Sequence, residues 1–189
     1  MLVLKAAERI ARPWKNGGGI TRDVYTHPEG AALEAFDWRV SLADVASDGP
    51  FSHFAGIDRT TAILSGAGFD LTVDGDTHRL TPQTPPLAYP GDGAASARLI
   101  AGPVTDLNVM TRRGRCRHHL SRRRITGDTD IAMTAGLLLW ESGTGTVNTG
   151  THRQNAMPLD AFVALRPARW HVAPEGQATF WIVGIDPAG

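Results

Sequence analysis

Phe36-Asp37-Trp38-Arg39-Val40-Ser41-Leu42-Ala43 is the stretch whose reading decides the fold. Phe36, Trp38, Val40 and Leu42 fall on one face of an extended chain, and Asp37, Arg39 and Ser41 on the other. One face asks for a core; the other is polar. Toward the C-terminus, Thr60 to Leu64 and Phe69 to Val73 read as further strands, and Asp74-Gly75 is a type I′ hairpin signal before a short return through His78 and Leu80. The prolines in Thr81 to Pro86 and Tyr89 to Gly93 bracket an edge segment, because proline cannot donate to a central ladder. Ala97 to Ala101 and Val104 to Thr111 follow. In the latter, Leu107 and Val109 alternate with Asp106, Asn108, Met110 and Arg112, giving a second polar stripe. Further on, Ile131 to Glu141 is strongly apolar, Asp160 to Leu165 is a strand, and Gln177 to Ile185 is apolar on both faces and so belongs inside a sheet.

Toward the N-terminus, Ile20 to Thr26 alternates like a half-buried strand, and residues 1 to 13 read as a short strand and a loop. No stretch has the period of an amphipathic helix. The chain is therefore all-β, with the short, turn-separated strands of a sandwich or barrel. Both halves run strand, hairpin, proline-rich edge, strand, which suggests two small barrels fused in tandem.

The formal net charge is zero, which argues against a general polyanion binder. One segment is basic. Arg112 to Arg124 holds seven arginines with His118 and His119, but it lacks aromatics for base stacking, so a solvated crossover is favoured over a nucleic-acid patch. The single cysteine, Cys116, leaves no internal disulfide and no CxxC site, as expected in a reducing, cytoplasmic setting. Met1 to Lys5 is too short an apolar run for a signal peptide, and no membrane-spanning run occurs.

Trp14-Lys15-Asn16-Gly17-Gly18-Gly19 crowds an aromatic, a cation, an amide and flexible backbone together. Its spacing matches neither GxGxxG nor a P-loop. Two readings remain: a mobile connection into the first strand, or a loop presenting N–H groups, with Lys15 and Asn16 as added donors. Asp48 to Asp58, punctuated by glycine and proline yet carrying Phe51, His53 and Phe54, is a loop suited to fold over something.

Pro13 to Gly19, Phe36 to Ser41, Gly49-Pro50-Phe51-Ser52 with Gly56 to Arg59, and Asn108 to Gly114 together resemble the HutD/Ves family, in the expected order over residues 1 to 114. The resemblance implies a bicupin: a first cupin-type barrel over 1–114 with the ligand pocket, and a second over 115–189 packed on it, with strand exchange allowed. It also implies a regulatory role linked to histidine utilisation or stress response. The ligand would be a small anionic metabolite such as N-formylglutamate, urocanate or formate.

Many cupins hold a metal with two histidines, a carboxylate and a later histidine. This chain has Arg39, Ser41 and Asn108 where such ligands are sought, and a guanidinium repels a cation, so a metal-free pocket without cofactor is expected. His171 reads as structural. The pocket is expected to be lined by Arg39, Ser41, Asn108 and Arg112, and closed by Lys15, Asn16, Gly17, Phe51, His53 and Arg59. Arg39 or Arg59 would anchor the carboxylate through its planar fork. The alternatives are an enzyme with His53 as general base beside Arg39 or Lys15, with Cys116 activated by its basic surroundings, and a nucleic-acid regulator acting through Arg112 to Arg124. Neither has a nucleophile–base pair or stacking set behind it. A homodimer is compatible with the sequence.

Overall fold

The computed structural model describes residues 1–14 and 17–188. In chain order the first strands are β1 (Leu2–Leu4), β2 (Ala11–Pro13), β3 (Gly19–His27), β4 (Trp38–Val45), β5 (Gly49–Pro50), β6 (Ile57–Ser65), β7 (Phe69–Val73), β8 (Asp76–Leu80), β9 (Leu87–Pro90) and β10 (Ala95–Leu99). They continue with β11 (Val104–Arg112), β12 (Cys116–Ile125), β13 (Thr129–Met133), β14 (Ala135–Ser142), β15 (Gly145–Asn148), β16 (Arg153–Ala156), β17 (Ala161–Ala164), β18 (Ala168–Pro174) and β19 (Ala178–Pro187). Among the described residues the only helix is a single 3₁₀ turn, Ala6–Glu8, so the chain is all-β.

Two compact units form. One is Ile10–Arg117 with Ala188; the other is Met1–Arg9 with His118–Pro187. The first has a six-stranded antiparallel sheet, β2-β3-β4-β11-β6-β9, and a four-stranded one, β5-β10-β7-β8. The second has a five-stranded sheet, β1-β17-β14-β19-β12, and a four-stranded one, β13-β18-β15-β16. The N-terminal strand, counted with the first half in the sequence reading, thus pairs in the second unit, with Leu2 opposite Val163. Each unit is a pair of open sheets whose ladders end at edges; among the described residues no ladder closes into a ring. β9 is such an edge, and its Pro90 has no N–H to offer a further strand.

The alternation within strands builds the cores. Val45, Ile63 and Val104 of the six-stranded sheet pack against Phe69, Leu71 and Ala97 of its partner. In the second unit, Leu138, Trp140, Phe162 and Phe180 meet Trp170 and Val172. The Asp74-Gly75 hairpin is as expected: both residues have positive φ, and Val73 faces Asp76.

Asp160 fixes the N-terminal segment to the second unit. Its buried carboxylate accepts from Lys5 Nζ at 2.8 Å, the Ala6 backbone N–H at 3.0 Å and the Met157 N–H at 3.2 Å. Asp160→Ala leaves these donors unmet and should lower stability by about 2 to 3 kcal/mol, discounted because Lys5 is partly exposed. Urea denaturation of the variant measures it; a loss under about 0.5 kcal/mol would mean that the 1–9 segment is not held by this carboxylate.

The basic segment is not a loop crossover. From Cys116 onward it is the edge strand β12, in which Cys116, His118 and Leu120 point inward and Arg117, His119 and Ser121 outward. The density of arginine hides this alternation in the sequence, because long stems cover apolar surface while the heads stay in water. Arg122 lies over the Trp181 ring, 5.7 Å from its centroid, and grips Glu141 at 2.7 Å through Nε.

Candidate functional site

The inner face of the six-stranded sheet changes character along its strands. At one end Val45, Ile63 and Val104 enter the core; at the other, most residues of the same parity are polar. Register aligns them in rows: Arg39, Met110 and Arg59 sit side by side on β4, β11 and β6, with Ser41, Asn108 and Thr61 in the next row. Ala43 and Asp106 follow. Above these rows lies a cavity of about 550 Å³, walled by Trp14, Phe51 and Phe54.

Arg59 is its centre. Only 5% exposed, its guanidinium lies 5.1 Å from the Tyr89 ring centroid, 5.5 Å from Phe54 and 5.6 Å from Phe51. It donates to Asn108 Oδ1 at 2.9 Å and to the Ser52 carbonyl at 3.3 Å, while its buried Nε has no partner. Among the described residues no carboxylate forms an ion pair with it. Three aromatic faces offset part of the cost of burying this charge.

The neighbouring cation differs. Arg39, also buried, gives its Nε to Asp23 Oδ1 at 2.7 Å and adds a second contact through Nη2, so its charge is neutralised within the sheet. From Arg59 a relay crosses to Asp106. Asn108 accepts from Arg59 and from Thr61 Oγ1 at 2.9 Å, and its Nδ2 donates to Asp106 Oδ1 at 2.6 Å. Asp106 is wholly buried and its Oδ2 has no partner. Desolvation pushes its carboxyl up to about 7, against the opposing pull of Arg59 and of hydrogen bonds from Ala43 N–H and Asn108.

Local sequence holds the aromatic wall. Phe51 N–H donates to Ala95 O and Phe54 N–H to Gly91 O, each at 2.8 Å, and Gly56 at φ +71° turns the chain into β6 three residues before Arg59. Trp14 N–H donates to Gly19 O at 2.9 Å and Trp14 Nε1 to Thr21 at 2.7 Å, which sets its ring against the cavity.

Of the residues named from sequence, Arg39, Ser41, Phe51, Arg59 and Asn108 line this cavity. Lys15 and Asn16 lie outside the described residues. Three others are misplaced. Gly17 is an exposed turn residue at φ +73° whose N–H is taken by Trp14 O at 3.0 Å. His53 is exposed and does not line the cavity, where the irregular loop brings Phe51, Ser52 and Phe54 instead. Arg112 spends its guanidinium on the carbonyls of Phe36 and Glu34, both at 2.8 Å. Cys116 is buried, and burial pushes its thiol up, the reverse of the activation considered from its basic neighbours. His171 has two partners unseen in the sequence, Asp130 at 3.0 Å and Asp128 at 3.2 Å, which raise its affinity for a proton. Among the described residues no three His, Cys, Asp or Glu are grouped to hold a metal ion.

Asp106, Thr61, Trp14 and Tyr89 were missed as site residues. Asp106 had a signal: a carboxylate at i−2 from Asn108, on the same polar stripe of the strand. Tyr89 had none, since only pairing of β9 with β6 sets it opposite Arg59.

An all-β chain with a buried, unneutralised arginine in an aromatic-walled cavity is thus the class of protein that these features define. The chain belongs to the HutD family, whose model matches residues 6–182. Protein Ves of Citrobacter koseri is 34% identical over 182 residues, 92% of this chain and 91% of that protein. A 21.2 kDa protein of the hutC 3′ region of Pseudomonas putida is 38% identical over 108 residues, 57% of this chain and only 56% of that relative's length. Among solved structures, a conserved protein of unknown function from Pseudomonas aeruginosa superimposes with TM-score 0.90 at 30% identity, covering 98% of each chain. HutD from Pseudomonas fluorescens SBW25, described in a formate condition, gives 0.76 at 31%, covering 100% of this chain and 99% of that one. A cupin 2 conserved barrel domain protein from Leptotrichia buccalis gives 0.64 at 9%, covering 97% and 98%, a likeness of fold alone. Among the described residues no helix is long and apolar enough to cross a membrane.

Proposed function

We propose that this protein is a small-molecule sensor whose two units are cupin-type halves fused in one chain, the first binding a small carboxylic acid at Arg59. The observation that carries this reading is a buried guanidinium without a carboxylate partner, facing a cavity with its Nε unmet. A bound carboxylate supplies the missing charge and accepts from the planar fork, while Phe51, Phe54 and Trp14 cover the rest of the acid. The role is regulatory, in the cytoplasm, tied to histidine utilisation: the hutC-region relative and the HutD neighbour support that link, and N-formylglutamate, urocanate and formate are the acids to try. The arginine segment supports a nucleic-acid role less well, since Arg113 pairs with Asp58 and Asp92, Arg115 with Asp37 and Arg122 with Glu141.

Calorimetric titration of the three acids into the purified protein tests the reading. At least one should bind below millimolar, and Arg122→Ala, in the other unit, should bind like wild type. Failure of all three acids to bind below millimolar would overturn the assignment of the cavity as a carboxylate site.

A further inference from the structure

The far end of the relay carries information about the bound state. Arg59 presents one unmet donor, Nε, and Asp106 one unmet oxygen, Oδ2, at opposite ends of the Asn108 bridge in the same cavity. Asp106 Oδ1 is the oxygen already engaged by Asn108. A proton on Asp106 therefore belongs on Oδ2, where it would be a second unmet donor on a residue that lines the cavity.

Charge decides whether that proton is present. The charged and titratable groups acting on Asp106 are Arg59 from β6, Asp44 from β4 and Tyr89 from β9, and Arg39 of β4 lines the same cavity. Asp44 is held by Arg22 and Thr105, and Arg39 by Asp23. Arg59 alone remains to serve a buried anion, and once an acid occupies it a second ionised carboxylate beside it would be an unpaired buried charge. Resting on the carboxylate reading above, we propose that Asp106, itself held as a neutral carboxylic acid, is a positioning residue whose Oδ2–H donates to the ionised carboxylate that Arg59 anchors. Each acid captured then brings one proton from solvent into the cavity. No bond other than this O–H is made or broken. The buried carboxyl already sits near neutrality in the empty protein, so the proton is gained over the physiological range. The consequence is a sensor that reads its acid more strongly as the pH falls.

The sign follows from linkage. A group whose folded pKa is raised, about 7 against a carboxylate's usual value near 4, favours the folded state below that usual value and loses this contribution as pH rises through about 7. The test titrates N-formylglutamate and formate, whose carboxyls stay ionised from about pH 6 to about pH 8.5, into wild type and Asp106→Asn, in buffers of different ionisation enthalpy. Wild type should take up close to one proton per acid at about pH 8, and its affinity should fall by up to about tenfold per pH unit above about pH 7. Asp106→Asn keeps a donor in place, so it should bind with no proton uptake from this site and with a flat pH profile. Thermal melts of the empty proteins give an independent reading: wild type should lose stability relative to Asp106→Asn as pH rises from about 6 to about 8. Binding that is pH-independent in wild type, or a slope that survives in Asp106→Asn, would overturn the proton linkage while leaving the carboxylate site standing. If neither of these acids nor urocanate binds, both readings fall; if the variant does not fold, the buffer dependence of wild type alone decides.

Discussion

Arg59→Ala should weaken acid binding by roughly ten- to a hundredfold, whereas Arg39→Ala should weaken it by less than about tenfold. A charge-assisted, buried contact of this kind is worth about 1.5 to 3 kcal/mol, and its removal also strands the ligand's charge in a dry cavity. Both arginines are buried, in one row of one sheet with Met110 between them, and sequence alone does not choose between them. Their partners do. Arg39 has Asp23 within 2.7 Å of its Nε, so a ligand meets little net charge there, while Arg59 has three rings, one amide oxygen and one carbonyl. Arg59→Lys should not restore full affinity, because an ammonium lacks the planar fork and stacks less well on the aromatic faces. Isothermal titration of the variants, with melts to show that each is folded, makes the comparison. Equal losses at both positions, or a larger loss at Arg39, would move the anchor.

Trp140→Ala should destabilise the protein by about 3 to 5 kcal/mol, lowering the melting temperature by about 10 °C or more. Trp140 is fully buried at the centre of the second unit's core, stacked on Phe180 with ring centroids 5.7 Å apart, and its indole N–H is satisfied by Gly143 O at 2.9 Å. Alanine therefore leaves a large void and an unmet carbonyl. Trp140→Phe, which keeps most of the apolar volume, should cost much less. Guanidinium unfolding of the two variants separates them; similar small losses in both would show that the site collapses around the missing ring.

Much of the pocket was legible because two strands each carry a polar stripe beside an apolar one. Arg39 and Ser41 alternate with Trp38, Val40 and Leu42, and Asn108 alternates with Leu107 and Val109. Burial on both faces is what the pattern hid: β4 is buried almost throughout, so its polar face is a cavity floor and not a solvent face. The misplaced residues share a cause. His53 and Arg112 follow site residues closely in sequence, yet a loop and a strand end turn their side chains elsewhere.

Period-two alternation, the Asp74-Gly75 turn and the prolines around β9 are local signals, each written within a few residues, and they determined an all-β chain and most of its strands. The family motifs added the likeness of the pocket. What only the tertiary structure decided is non-local. The pairing of β1 with β17 across the length of the chain, the strand at Cys116–Ile125, the choice of Asp23 for Arg39 and the three-ring enclosure of Arg59 all depend on which strands become neighbours. So does the unmet oxygen of Asp106, because the cost of burying a carboxyl exists only once the chain has closed over it.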